Sequence, residues 1–267
     1  MGGMPAQWQS YDSAATTHQL AVPRMFAAPA RDLVARMNLP GAARVLDVGS
    51  GTGVAATLAM EAAGPQAIVV GLDLSIGMLR TARENGITRV AVGALPHLPF
   101  AACFDAVMAS FVLSHIADCP GALREMARVL KPGGRLGATA WGPTSNPYRD
   151  LWDKLCEEVV DRDRLRGAAS QALPWEERLT DAPTFAGLLS EAGLGSIEIQ
   201  RMDYSMPMTI DDYLAIRSGS LQSRFMRGVL GEEAWGRFVE SATAEFHRRF
   251  QDPIDHARDA LIATGTV

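Results

Sequence analysis

Val45-Leu46-Asp47-Val48-Gly49-Ser50-Gly51-Thr52-Gly53 is the stretch that decides how this chain folds. Residues 43–48 form a short apolar run with little polar alternation, the pattern of a strand buried on both faces. Alternating glycines follow it. Glycine accepts the positive φ of a sharp turn and lets the backbone come close to a ligand. The Ala-rich stretch 54–63 then reads as a helix, so the unit is strand, tight turn, helix. Outward from it the unit repeats. Ala67 to Leu72 is a second apolar run, closed by Asp73, and Ser75 can cap a helix running to about Glu84. Val90–Val92, Phe104–Ser110 and Arg135–Trp141 read as strands three to five. Residues 120–130 read as a helix that stops before Lys131-Pro132-Gly133-Gly134. Strand and helix alternating at short spacing predict an α/β fold: a Rossmann-like, doubly wound, mostly parallel sheet with helices on both faces.

The flanks are less regular. Leu33, Val34 and Met37 fall at helical spacing ahead of Pro40-Gly41, and residues 1–40 are expected to form an N-terminal helical lid. Residues 142–195 read as a polar helical insert. Ile197 and Ile199 alternate with Glu198 and Gln200, a strand with one wet face. Residues 209–217 and 231–249 read as helices, and 260–267 as an apolar strand. A late strand, helical insert and strand would give the seven-stranded sheet one antiparallel member. The chain is thus expected to be one domain, with a cofactor-binding core at 41–141 and an acceptor-side insert within 196–267.

The chain has 267 residues, is 48% hydrophobic and 21% charged, and carries a net charge of −5. That composition is globular. The acidic balance argues against a broad nucleic-acid surface. Cys103, Cys119 and Cys156 show no metal-ligand spacing, so reduced thiols and no metal site are expected. No apolar run reaches the ~18 residues that cross a bilayer, and the first residues lack the pattern of a secretory leader. The expectation is a cytoplasmic protein with no membrane or nucleic-acid partner; a homodimer is compatible with the sequence.

A glycine turn after strand one and an acid after strand two fit either a dinucleotide or S-adenosylmethionine. The details separate them. The dinucleotide pattern Gly-x-Gly-x-x-Gly would need glycine at position 54, which is Val54. Asp47 would serve a pyrophosphate poorly but suits an ammonium group, which the methionine end of S-adenosylmethionine carries.

At these residues the chain resembles the class I S-adenosylmethionine-dependent methyltransferases, in particular the small-molecule subgroup similar to the ubiquinone/menaquinone C-methyltransferases. Residues 45–53 match the first motif of that family. Gly71-Leu72-Asp73-Leu74-Ser75-Ile76-Gly77-Met78-Leu79 matches the second. The resemblance implies S-adenosylmethionine as cofactor and S-adenosylhomocysteine as product. It implies contacts from Asp47, Gly49, Ser50, Gly51 and Gly53, with Asp73 on the ribose and Leu74 and Met78 beside adenine. Gly93-Ala94-Leu95-Pro96-His97-Leu98-Pro99-Phe100 matches the segment that closes over adenine. There the family's Gly-Asp-Ala is Gly93-Ala94-Leu95, so Ala94 cannot accept from the adenine amino group; the Leu95 amide is expected to meet the ring still. One such hydrogen bond is worth about 0.5–1.5 kcal/mol, too little to abolish binding.

Methyl transfer is an in-line displacement helped mainly by positioning. A base is needed only where the acceptor must lose a proton. His115 and His18 are the candidate bases; His97 is expected at the rim, and His247 and His256 in solvent. Ser110 and Phe111, ending strand four, should line the methyl site. Trp8, Tyr11, Trp141 and Tyr213 are candidates for the acceptor wall, with Trp152, Trp175, Met206, Met208 and Met226 as apolar support or plain core. The expected activity is O-, N- or C-methylation of a small acceptor, aromatic or polyketide-like. The alternatives are a quinone-precursor C-methyltransferase and a methyltransferase-like binding protein without turnover.

Overall fold

The computed structural model describes residues 25–39 and 43–267. In chain order the described elements begin with α1 (Ala27–Met37), β1 (Arg44–Val48), α2 (Val54–Ala63), β2 (Ile68–Asp73), α3 (Ile76–Glu84), β3 (Arg89–Val92) and β4 (Phe104–Ser110). A single 3-10 turn, Leu113–His115, leads to α4 (Cys119–Arg128) and β5 (Leu130–Trp141). Then come α5 (Pro147–Val159), α6 (Arg162–Ala172), α7 (Glu176–Leu179), α8 (Ala182–Glu191), β6 (Gly195–Tyr204) and β7 (Pro207–Met208). The chain closes with α9 (Ile210–Ser218), α10 (Leu221–Leu230), α11 (Glu232–Arg249), β8 (Ile254–Asp255) and β9 (Arg258–Thr266).

The main sheet has seven strands in the order β3-β2-β1-β4-β5-β9-β6. β1 pairs in parallel with β2 and β4, and β4 with β5, while β9 runs antiparallel to both β5 and β6. The apolar runs at β1, β4 and β9 are buried on both faces, as their lack of alternation requires. Strand order reverses at β1 and β4, so their carboxyl ends open the crevice in which such sheets take ligands.

One sheet face is covered by α1, α2 and α3 through Leu33, Met37, Ala56, Ala59 and Ala82. The other is covered by α4 and α8 through Leu123, Met126, Phe185 and Leu189. Helix α1 is therefore a body helix: a Cβ on Gly137 of β5 would stand 2.3 Å from Met37 Sδ. Residues 1–24, the rest of the expected lid, lie outside the described residues.

The two inserts expected on either side of residue 195 are one layer. Trp152 and Cys156 of α5, Leu165 of α6, Tyr213 and Leu214 of α9, Met226 of α10 and Phe238 and Phe246 of α11 share a core. Helix α8, placed in the first insert by sequence, covers the sheet instead. β5 also starts earlier than expected, at Leu130, because Lys131–Gly134 continue the strand across a register shift against β4. Cys103, Cys119 and Cys156 are free thiols. No described helix is long and apolar enough to cross a membrane.

Candidate active site

The glycine turn closes β1 at the crevice. Gly49, Gly51 and Gly53 all have positive φ, of 67°, 55° and 90°, which only glycine adopts freely. They differ in what surrounds them. A Cβ on Gly49 would lie 2.3 Å from Val112, and one on Gly53 2.8 Å from Ile87; one on Gly51 would meet nothing within 4 Å. Gly49 and Gly53 are thus fixed by packing, and Gly51 faces open space.

Two acids bracket the turn. Asp73, half-buried at the end of β2, accepts from the Gly51 amide at 2.8 Å through Oδ2 and from the Ser75 amide at 2.8 Å through Oδ1. Ser75 in turn caps α3 by accepting from the Met78 amide. Asp47 is 1% exposed, and both its carboxylate oxygens lack a closed hydrogen bond. Burial pushes its pKa up to about 7; the Ala56 amide and the Ser50 hydroxyl face it and pull the other way, and Asp73 adds repulsion. The Ser50 hydroxyl is buried and equally unpartnered. An ionised carboxylate kept in such a place calls for a cation. The turn thus fits the cofactor that the sequence implies: room beside Gly51, a half-buried acid at the end of β2, and a buried, unsatisfied acid in β1.

The segment after β3 docks by the Gly93 amide onto the Asp73 carbonyl at 3.1 Å, and Ala94 bridges His97. Ala94 and His97 are exposed and Leu95 is half-buried. Leu74 is 65% exposed at the mouth, whereas Met78 is 3% exposed beneath it.

Past Ser110, Phe111 takes a positive φ of 56°, a sparsely populated conformation for a bulky residue. Thr139 holds it there, accepting from the Phe111 amide through both Oγ1 (3.0 Å) and its carbonyl (3.2 Å). The Phe111 ring stacks on Trp141 at 4.1 Å and meets Phe26 edge-on at 5.3 Å. The Arg258 guanidinium lies 3.9 Å over Trp141.

Beyond this cluster opens a cavity of about 460 Å³, lined by Met25, Phe26, Met208, Tyr213, His256 and Arg258 among others. Tyr213 is thus brought to the cavity, whereas Trp141 is not in its lining and packs against Phe26 and Arg258, which are. Met206, Met226 and Trp152 are buried in the insert core away from the lining. Trp175 lies elsewhere, its indole donating to the Ala117 carbonyl at 3.0 Å. His115 sits half-buried on the 3-10 turn and is not part of the cavity wall. Trp8, Tyr11 and His18 lie outside the described residues.

His247 is exposed and pairs with Asp211 at 3.0 Å. His256 corrects the sequence expectation: it is 5% exposed, not solvent facing. Its position at the β8–β9 junction turns it inward, where Asn146 Nδ2 donates to its Nδ1 at 3.1 Å. Sequence reading also missed Arg149, Arg217 and Arg258 on the cavity wall. They come from separate elements, and no spacing links them.

A methyltransferase-domain family model matches residues 46–138. A ubiquinone/menaquinone biosynthesis C-methyltransferase of Syntrophotalea carbinolica is 41% identical over 172 residues, 60% of this chain and 72% of that protein. A demethylmenaquinone methyltransferase of Mycobacterium sp. (strain KMS) is 37% identical over 134 residues, 49% of this chain and 56% of that protein. This chain spans about half the length of most of the curated relatives that it matches first. Among solved structures, a methyltransferase of Thermotoga maritima superposes with a TM-score of 0.57 at 18% identity, covering 97% of this chain and 99% of that one. Phosphoethanolamine N-methyltransferase 2 of Haemonchus contortus, solved with S-adenosyl-L-methionine, superposes with a TM-score of 0.60 at 18% identity, covering 98% and 60%. With the sheet order β3-β2-β1-β4-β5-β9-β6 and the glycine turn between its two acids, these likenesses define the chain's family: it belongs to the class I S-adenosylmethionine-dependent methyltransferases.

Proposed function

We propose that this chain transfers a methyl group from S-adenosylmethionine to a small-molecule acceptor seated in the cavity beside Phe26 and Arg258. The observation that carries this reading is the aromatic cluster of Phe26, Phe111 and Trp141, which stands between the glycine-turn crevice and the cavity. Gly49 packs on Val112, the residue after Phe111, so the turn and the cluster are immediate neighbours.

When bound, the cofactor supplies a methyl group on a positively charged sulfur, and transfer discharges that charge. The residues of the chain hold, orient and exclude water. Asp73 is the acceptor for the ribose hydroxyls, its carboxylate already fixed by the Gly51 and Ser75 amides. Asp47 and Ser50 face the ammonium of the methionine end, which satisfies their buried oxygens. The open side of Gly51 gives the backbone its close approach. Leu74, Met78, Ala94 and Leu95 form the adenine side. Ser110 and Phe111 border the methyl, and the Phe111, Trp141 and Phe26 rings keep the transfer site dry, where positioning supplies most of the acceleration. Where the acceptor has a proton to lose, His115, on the 3-10 turn four residues past Phe111, is the candidate base that the sequence implies. We read the chain as one methyltransferase domain whose insert layer selects the acceptor.

A quinone precursor is the second reading, supported by what the relatives from Mycobacterium and Syntrophotalea are named for. The family match at 46–138 contains none of the cavity-lining residues, however, so the likeness speaks for the cofactor half. The test is transfer of a radiolabelled methyl from S-adenosylmethionine to a panel of phenols, amines, acids and a demethylated naphthoquinone. Labelled product from any member supports turnover. Tight S-adenosylhomocysteine binding with no transfer to any of them would favour a binding protein without turnover.

A further inference from the structure

The cavity beyond Phe111 is walled by donors. Six arginines line it, Arg149, Arg162, Arg166, Arg217, Arg224 and Arg258, against three carboxylates, Asp153, Glu157 and Glu176. Two of the carboxylates are already committed. Asp153 is shared by Arg149 at 3.5 Å and Arg217 at 3.2 Å, and Glu157 pairs with Arg162 at 2.9 Å.

Arg258 has no such partner among the described residues. Its sequence neighbour Asp259 is turned away, accepting from the Thr144 amide at 3.0 Å and lying 3.4 Å from Arg201. Among the described residues no carboxylate comes within ion-pair distance of Arg258, and its Nε is buried without a hydrogen bond. Arg258 is half-buried overall, its Nε closed off from solvent, and it lines the cavity. Burial, then Arg149 and Arg217, push its pKa down to about 9, while Glu176 on the same wall and Asp259 pull the other way without closing an ion pair.

The other unsatisfied groups on this wall are also donors. Arg217 Nε and the Tyr213 hydroxyl are buried with no hydrogen-bond partner. His256 accepts from Asn146 through Nδ1, which leaves Nε2 as its donor nitrogen. Arginine forks fit oxyanions bidentately, and a buried cation without a counter-charge is costly. Met25, Phe26, Leu165, Leu173, Met208 and Ile216 give the lining its apolar part, with Ser220 and Gln222 as neutral polar members.

We infer that the cavity binds an oxyanion, a carboxylate or phosphate on an apolar small molecule, with Arg258 as its principal partner and Arg149, Arg217, Tyr213 and His256 around it. Resting on the methyltransferase reading, this assigns the acceptor to the small acids. The anion anchors the acceptor at Arg258 and directs its other end past Trp141 toward Phe111. Arg258 is a binding and positioning residue.

The test is calorimetry in low-salt buffer, with and without saturating S-adenosylhomocysteine. Salicylate and phenyl phosphate are the probes, with salicylamide and phenol as neutral counterparts. At least one acid should bind about tenfold or more tighter than its neutral counterpart, since a charge-assisted bond is the stronger kind. Arg258→Gln should remove that preference, and Arg258→Lys should keep part of it. S-adenosylhomocysteine affinity should stay within about twofold in both, as Arg258 touches no part of the turn. The ligand-free Tm of Arg258→Gln should equal or exceed that of the parent chain, because an unpaired buried charge is gone; this also reports that the variant folds. Preference for salicylate assigns a carboxylate, and preference for phenyl phosphate a phosphate. Acids binding no tighter than their neutral counterparts, or binding Arg258→Gln equally well, overturn the proposal. Acid binding without any S-adenosylhomocysteine binding would leave the oxyanion site standing and overturn the methyltransferase reading.

Discussion

The Asp73 carboxylate accepts from the Gly51 amide at 2.8 Å, tying the end of the second strand to the turn that closes the first. The same side chain therefore shapes the glycine turn and, in the proposed function, accepts from the cofactor sugar. Asp73→Ala should weaken S-adenosylhomocysteine binding by about 100-fold or more, from two charge-assisted bonds lost together with the tie to Gly51. Asp73→Asn keeps an acceptor oxygen for the turn and should lose less. Isothermal calorimetry on both variants checks this, and unchanged affinity in Asp73→Ala refutes the ribose role.

Gly51 and Gly49 predict opposite failures. Gly51→Val places its side chain where the protein has no atoms within 4 Å, at a φ of 55°. It should abolish cofactor binding at a stability cost of about 1–2 kcal/mol from backbone strain. Gly49→Val drives its Cβ into Val112 and should cost the fold several-fold more. Urea denaturation paired with calorimetry separates the two; a Gly51→Val chain that still binds would show that the open space is not the cofactor's.

Asp47 should set a pH dependence of binding. Its folded pKa is raised to about 7. Between the ordinary carboxylate pKa and about 7 the folded chain keeps a proton that the unfolded chain has lost. Stability contributed by this group is therefore greatest at low pH and falls as pH rises through that window, by up to about 4 kcal/mol. An ammonium bound beside it favours the ionised form, so S-adenosylhomocysteine affinity should rise from pH 5.5 to a plateau above about 7. Asp47→Asn should flatten that rise, stabilise the ligand-free chain at pH 8 by about 2–4 kcal/mol, and bind more weakly at every pH.

His256 should act in the reverse direction. Burial, then Arg258, Arg217 and Arg149, push its pKa down to about 4. As pH falls from about 6.5 to 4 the unfolded chain takes up a proton before the folded chain does, so up to about 3 kcal/mol of stability is lost over that interval. The two groups oppose each other in one pH range. Relative to the parent chain, His256→Gln should make stability fall more steeply with rising pH, and Asp47→Asn should make it climb. Denaturation midpoints between pH 4 and 7 report both slopes; two variants with the parent's profile would refute the assignment.

His115→Gln tests for a general base. If the acceptor loses its proton to this residue, the variant should lower kcat by about 100-fold and remove the acid limb of its pH profile. If His115 only packs against the turn, kcat should change by less than about threefold with the profile intact.

The glycine turn, its two acids and the strand pattern were legible because each is local. A buried parallel strand needs an unbroken apolar run, a tight turn at positive φ needs glycine, and both requirements are written in consecutive residues. Phe111 and Trp141 could be expected at the crevice because strand ends in such a sheet meet there. Nothing local marked the cavity. Arg149, Arg217 and Arg258 stand on α5, α9 and β9, and each alone reads as a solvated charge. His256 reads the same way in Ile254-Asp255-His256-Ala257-Arg258. The junction of β8 and β9 turns it inward against Asn146, more than a hundred residues earlier in the chain.

By itself the sequence determined the sheet, the turn and the cofactor class, since backbone conformation and strand burial depend on neighbours along the chain. Only the tertiary structure decided that two helical segments fold into one layer, and that its arginines converge on a single cavity. The physical reason is that charge adds up in space: side chains far apart in sequence share one field only once the fold has brought them within a few ångströms of each other.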